Sequence, residues 1–249
     1  MFLPCTLPEI EQLGWDAPDV ILVSGDAYID SPYSGVAVIG RVLTAAGFRV
    51  AILSQPGVAS HDDIRSLGQP RLFWGVTGGC VDSMVANYTA TGKRRQQDDF
   101  TPGGKNTARP DRAVIAYCNL IRAAFKPCKP IVIGGIEASL RRIAHYDFWS
   151  DTVRRPLLFD AKADILIYGM AEHTVTALAR CFRDARDWCG LRGLCHALPA
   201  TSEALPDDAV ILPGFSEVSA PTDAGRAAFL EMFRLFAANQ EPRTAKPLV

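Results

Sequence analysis

Five short apolar runs, each followed by a turn or a helical stretch, constrain this chain more than any other feature. Asp19-Val-Ile-Leu-Val-Ser24 stops at Gly25, and Phe48–Leu53, Leu72–Val76, Pro130–Ile133 and Ala163–Tyr168 repeat the theme. These runs are apolar at nearly every position, not at every second one. A strand reads that way when both its faces are buried. Between them, Val36, Ile39, Gly40 and Leu43 recur at helical spacing, with Gly47 placed to end that helix. Val114, Tyr117, Cys118, Ile121 and Phe125 mark a second helix, and Val175, Leu178, Ala179 and Phe182 a third. Strands alternating with helices predict a parallel sheet with helices on both faces, joined by right-handed crossovers.

The expected fold class is therefore α/β, a Rossmann-like sheet of the flavodoxin or cobalamin-binding-domain type, with strand order 2-1-3-4-5. Residues 1–188 are read as this domain. Within it, Thr89–Pro110 is polar, rich in glycine and proline, and lacks either period, so 89–110 reads as a long excursion or flap. Residues 189–249 differ in character and read as a C-terminal extension. They hold one short apolar run, Val210-Ile-Leu212, and a helix predicted over Thr222 to Asn239 with Phe229, Met232, Phe233 and Phe236 on one face.

Composition narrows the function. Hydrophobic residues make up 48% and net charge is −1, so a core can be buried but no charge field draws nucleic acid or an anionic membrane. Lys93-Arg94-Arg95 is followed by Asp98-Asp99 and reads as a solvated face. The start is broken by Pro4 and Pro8 and has no basic leader, and no apolar run is long enough to span a bilayer. A cytoplasmic location with no membrane partner is expected. The seven cysteines, Cys5, Cys80, Cys118, Cys128, Cys181, Cys189 and Cys195, include no CxxC and no CxxxCxxC. They read as reduced thiols, and no metal ligand or catalytic residue is assigned. His61, His145, His173 and His196 do not cluster in sequence.

The positions that could hold a ligand are the glycine-rich strand ends. Gly25, Gly78-Gly79, Gly134-Gly135 and Gly169 each fall at or just past the carboxyl end of a predicted strand. In an open parallel sheet those ends share one edge, where ligands bind. Glycine lets a backbone amide approach a ligand closely, and tight turns demand glycine too. The candidate edge comprises Gly25, Asp26, Asp30, Gly35, Gly78, Gly134, Gly135, Glu137 and Gly169. Asp26 and Asp30 serve either a ligand or the local turn. Arg141 and Arg142 can bind an anion or pair with Asp147, Asp151 or Asp160, and the pairing is the preferred reading. The loop from Gly25 to Gly35 lies where cobalamin-binding domains carry DxHxxG. It has no histidine, so cobalamin is possible only without a histidine ligand.

Several stretches together resemble the YgiQ family of radical S-adenosylmethionine (SAM) proteins. They include Met1-Phe-Leu-Pro4 with Leu13-Gly-Trp15, Val20-Ile-Leu-Val-Ser-Gly-Asp-Ala-Tyr-Ile-Asp30, Phe73-Trp-Gly-Val-Thr77 and Asn87-Tyr-Thr89. The most specific is Gly134-Gly-Ile-Glu-Ala-Ser-Leu-Arg-Arg-Ile-Ala-His-Tyr-Asp-Phe-Trp-Ser-Asp-Thr-Val-Arg-Arg155. The resemblance implies an N-terminal domain followed by a radical SAM barrel, whose CxxxCxxC motif holds a 4Fe–4S cluster that cleaves SAM. This chain ends before that motif. The expectation is a non-catalytic domain, inactive alone, that binds a substrate or cofactor for the barrel of the same parent protein. The substrate, small-molecule or macromolecular, is not named by the sequence. The alternative is a protein-docking scaffold without a small-molecule site.

Overall fold

The computed structural model describes residues 2–199, 205–241 and 243–249. They form two compact units. One runs up to Arg142 and includes Leu157–Ala197; the other joins Ile143–Pro156 to Leu198–Val249. Up to Arg142 the chain runs α1 (Leu7–Gln12), β1 (Val20–Ser24), α2 (Gly35–Ala45), β2 (Val50–Ser54), α3 (Asp62–Arg65), β3 (Phe73–Thr77), α4 (Ser83–Asn87), α5 (Ala113–Ala124), β4 (Ile131–Ile133) and α6 (Gly135–Leu140). A ribbon of β5 (His145–Asp147) and β6 (Thr152–Arg154) follows. The chain returns through α7 (Leu157–Asp160), β7 (Ile165–Ile167), α8 (Glu172–Arg183) and β8 (Leu194–His196), and closes with α9 (Phe215–Val218) and α10 (Asp223–Ala238).

The first unit is a six-stranded sheet in the order β2-β1-β3-β4-β7-β8. Its first five strands are parallel, and counted along this sheet they follow the expected 2-1-3-4-5. The strand β8 adds an antiparallel edge against β7. It is short and half-buried throughout, so no apolar run marks it in the sequence. Successive residues of each strand alternate between faces. Leu22, Ile52, Phe73, Val132 and Ile165 join one apolar layer with Leu43 of α2 and Leu178 of α8. Ile21, Val23, Trp74, Ile131 and Ile133 join the other, with Ile64 of α3 and Tyr117 of α5. Both faces are thus covered, as the unbroken apolar runs require. The α2 helix ends at Ala46, after which Gly47 takes φ 88°, the left-handed conformation that glycine accepts without a Cβ penalty.

Residues 89–110 carry little regular structure, only a short 3-10 turn at Pro102–Gly104 and isolated bridges such as Gln97 to Lys105. Buried polar side chains fasten the segment to the sheet. Arg109, with no exposed side-chain surface, pairs through Nη2 with Asp26 at 2.5 Å and through Nη1 with Asp98 at 2.9 Å. The Asn106 amide donates to the carbonyls of Asn87 (3.1 Å) and Arg95 (3.0 Å). The Asn87 amide donates to the Arg109 carbonyl at 3.2 Å. Gln55 bridges the Gly25 carbonyl and Thr101 Oγ1 at 2.9 and 2.7 Å. A polar segment without period is held here by side-chain hydrogen bonds together with scattered backbone ones, such as the Ala27 amide to the Phe100 carbonyl at 2.9 Å.

In the second unit, Thr222 caps α10 by accepting the Gly225 amide at 3.1 Å. Met232 and Val218 form a small core with Ala144, and Phe229 packs against it. On the helix face expected from the sequence, Met232 is therefore interior while Phe233 is 41% exposed. Val210 and Leu212 donate backbone hydrogen bonds to Pro247 and Val249 at 2.8 and 2.7 Å.

Replacing Arg109 by Met leaves two buried carboxylates without their counter-charge. Losing one partner of a buried ion pair costs about 3–5 kcal/mol. Urea unfolding of Arg109→Met should show a loss of that size, and a loss below about 1 kcal/mol would mean the triple does not anchor the segment.

Candidate functional site

From β1 the chain moves outward to β2, then crosses to β3 on the other side of β1. The strand order thus reverses between β1 and β3, where the loops leaving the two strands diverge and open a crevice. A pocket of about 360 Å³ opens at this edge. Asp26 follows β1, Thr77 and Gly79 end β3, Gly134 and Gly135 leave β4, and Gly169 leaves β7; all six line the pocket. Tyr33, Ile136 and Met170 stand at the rim, 90%, 42% and 88% exposed. The strand ends are flush because Ser24 is in register with both Ser54 and Thr77.

Two sets of buried charges support the edge from behind. The first is Asp26–Arg109–Asp98. Its Asp26 also accepts the Cys80 amide through Oδ2 at 2.5 Å. The second centres on Glu137, which accepts the Ser83 amide at 2.9 Å, beside Asp82, which pairs with Arg141. Asp82 also caps α4 by accepting the Met84 amide at 2.9 Å. Gly78 and Gly79 separate the two sets. A Cβ on Gly78 would collide with the Glu137 carboxylate, and one on Gly79 with that of Asp26. A Cβ on Gly25 would strike the Gly78 carbonyl oxygen. These three glycines let strand ends and carboxylates meet. Tyr117 Oη and Arg109 Nε are buried among these groups and have no hydrogen-bond partner.

Burial, and then the neighbouring Asp82 charge, raises the Glu137 carboxyl above the usual carboxylate range. Cys80, at the mouth, is exposed, and its thiol is pushed up to about 11 by partial burial and by Asp26. At neutral pH it is a protonated thiol that donates to the Tyr33 carbonyl at 3.4 Å, and so a weak nucleophile.

The nine positions singled out in the sequence part into two groups. Asp26, Gly35, Gly134, Gly135 and Gly169 line the pocket, whereas Gly25, Asp30, Gly78 and Glu137 do not. Asp30 is turned to Arg41 of α2, which donates to it through Nε at 3.0 Å. Glu137 and Gly78 belong to the charge network behind the edge. Arg141 pairs with Asp82, a partner outside the set expected from the sequence. Arg142 lies over the Tyr168 ring, 4.8 Å from its centre. Gly75, Tyr33 and Met170 also line the pocket, as does Cys80, which the sequence marks only as a reduced thiol, and Arg109 stands behind it. For Gly75 a signal was present: a glycine inside an apolar strand run marks a place of close approach.

Among the described residues no group of three or more His, Cys, Asp or Glu side chains is arranged to hold a metal ion. These residues do not fit an iron–sulfur cluster. No helix among them is long and apolar enough to cross a membrane.

Fold and edge define a doubly wound α/β domain with a pocket at its switch point. Residues 2–249 match the family described as radical SAM N-terminal, and the chain belongs to that family. It is 53% identical over 248 residues to a UPF0313 protein of Fusobacterium nucleatum, covering 99% of this chain and 42% of that protein. A UPF0313 protein of Geobacter sulfurreducens is 46% identical over 251 residues, covering 100% and 40%. The chain thus spans about two-fifths of the length of these curated relatives. Among solved structures it is similar to TsrM, a radical SAM methyltransferase from Kitasatospora setae. One TsrM structure, with tryptophan substrate and a SAM analog bound, superposes with TM-score 0.48 at 20% identity, over 71% of this chain and 28% of that one. Another, with cobalamin and a [4Fe-4S] cluster bound, gives 0.45 over 72% and 27%.

The raised Glu137 carboxyl sets a sign for pH dependence. A group that binds its proton more tightly when folded favours folding most at acidic pH, and that contribution is lost as pH rises through its folded value. Glu137→Gln keeps an acceptor for the Ser83 amide and removes the ionisation. Thermal unfolding from pH 4 to 8 should show the variant gaining on the unsubstituted protein as pH rises. A relative loss with rising pH would contradict the assignment.

Proposed function

We propose that this domain holds a small-molecule substrate or cofactor for the catalytic part of a radical SAM protein. The observation that carries this reading is the pocket at the switch point. Its volume lies within the range of about 300–1,000 Å³ common to small-molecule sites. Its lining is mostly apolar with a few polar groups at the mouth, the usual composition of such sites.

The chain's own residues have distinct parts in this reading. The glycines at 134, 135 and 169 let backbone groups come close to the ligand. Asp26, held by Arg109 and by the Cys80 amide, fixes the shape of the wall at the mouth before binding. Exposed Tyr33, Ile136 and Met170 form an apolar rim. That rim suits closure by the rest of the polypeptide, which in the relatives accounts for about three-fifths of the length. The 4Fe–4S cluster and SAM chemistry belong to that remainder, and no residue of this chain is assigned to it. No histidine lines the pocket, so a cobalamin bound here would lack a protein histidine ligand from these walls. A docking-only role predicts the same rim but leaves the pocket empty.

Titration with S-adenosylmethionine, hydroxocobalamin and adenine nucleotides, followed by calorimetry and amide NMR, tests the proposal. Saturable binding of one of them, with shifts at Gly134, Gly135 and Gly169, is expected. Met170→Lys, at an exposed rim position, should weaken it about tenfold, roughly 1.4 kcal/mol. Binding that leaves those amides unmoved, or no binding by an intact fold, would favour the docking role.

A further inference from the structure

The pocket does not stop at the strand ends. It is lined by Thr77 at the carboxyl end of β3 and also by Phe73 at the other end of the same strand. Four residues of parallel strand span about 13 Å. The space therefore runs down the face of the sheet, beneath α2 and α8.

The register shows why there is room. One row across the sheet reads Ile52, Leu22, Gly75, Val132, Ile165, each directly opposite the next. The four large members all belong to the apolar layer under α2 and α8. Gly75, in the middle, contributes no side chain. It is half-buried despite lying in the central strand, between β1 and β4. Val36 and Ile39 of α2 and Val175 of α8 form the opposite wall. Missing one side chain from an otherwise filled layer leaves a slot one side chain thick. A Cβ on Gly75 would stand 2.6 Å from Leu22 Cδ2, so Leu22 already leans over the gap from one side. Both walls are apolar, and the polar groups of the pocket, Asp26 and Cys80 among them, sit at the mouth.

We infer that the ligand carries a flat, apolar ring system that slides between the sheet and α2/α8 to lie over Gly75, while its polar part stays at the glycine edge. This rests on the ligand-holding role proposed above. A thin gap between two apolar walls accepts an aromatic or heteroaromatic ring and rejects a globular hydrocarbon of equal area. Gly75 is then the residue that sets specificity.

Two probes with the same charge separate shape from hydrophobicity: 2-naphthoate, which is flat, and adamantane-1-carboxylate, which is globular. The inference expects saturable binding of 2-naphthoate with a shift at the Gly75 amide, and at least tenfold weaker binding of the globular probe. It also expects 2-naphthoate to slow maleimide labelling of Cys80 at the mouth but not of exposed Cys189. Gly75→Ala pushes the end of Leu22 into the slot and should weaken 2-naphthoate at least tenfold. Val36→Phe fills the slot from the helix side and should do the same, keeping the test open if the first variant does not fold. Equal binding of both probes, or full binding by both variants without movement of the Gly75 amide, overturns the slot and leaves the mouth as the site. Failure of 2-naphthoate to bind while a compound from the earlier titration does also overturns it. No binding by any of them removes the ligand-holding role itself.

Discussion

A parallel sheet buried on both faces meets solvent only along its strand ends and its two outer strands, and that constraint orders everything else in this domain. Backbone polar groups inside such a sheet pair strand to strand, and the apolar rows above and below need helices to cover them. The flush register of β1, β2 and β3 then puts the loop ends together at one edge. A pocket in such a sheet opens there, or through a defect in one of the covering layers. The structure provides both, a crevice where the strand order reverses and a missing side chain at Gly75.

Charge is used behind the edge to hold shape. Asp26, Asp98 and Arg109 bring a segment without regular structure against the end of β1. Asp82, Glu137 and Arg141 tie the loop after β3 to α6. In each set two carboxylates face one guanidinium, and burial, then the Asp82 charge, raises the Glu137 carboxyl. Gly78 and Gly79 lie between the sets because any side chain there would occupy the carboxylates' space. Strand-end glycines thus have two duties, admitting internal charges at Gly78 and bordering the open pocket at Gly134 and Gly135, and Gly79 has both.

The radical SAM N-terminal family places the domain in longer relatives, where most of the polypeptide lies outside the region matched here. The exposed rim at Tyr33, Ile136 and Met170 borders the pocket that the proposed ligand-holding role uses.

Period and composition were enough to read the five parallel strands, the three long helices α2, α5 and α8, and the layer arrangement, because these follow from local patterns of burial that repeat along the chain. The glycine-rich edge was legible for the same reason, down to Gly134, Gly135 and Gly169. What the sequence could not separate was which edge residues face outward. Glu137 and Gly78 look like ligand contacts in one dimension, yet they turn inward because partners more than fifty residues away, Ser83 for one, complete their surroundings. Arg109, in a stretch with no pattern, is among the most buried side chains, since one of its carboxylates, Asp98, lies in the same stretch and the other, Asp26, comes from the end of β1. The short strand β8 had no apolar run to announce it. The slot over Gly75 needed the register of four neighbouring strands, for a gap is a property of what surrounds it and has no residue of its own. Local chemistry thus determined the elements and their order, and only the assembled sheet decided which of their atoms are left facing empty space.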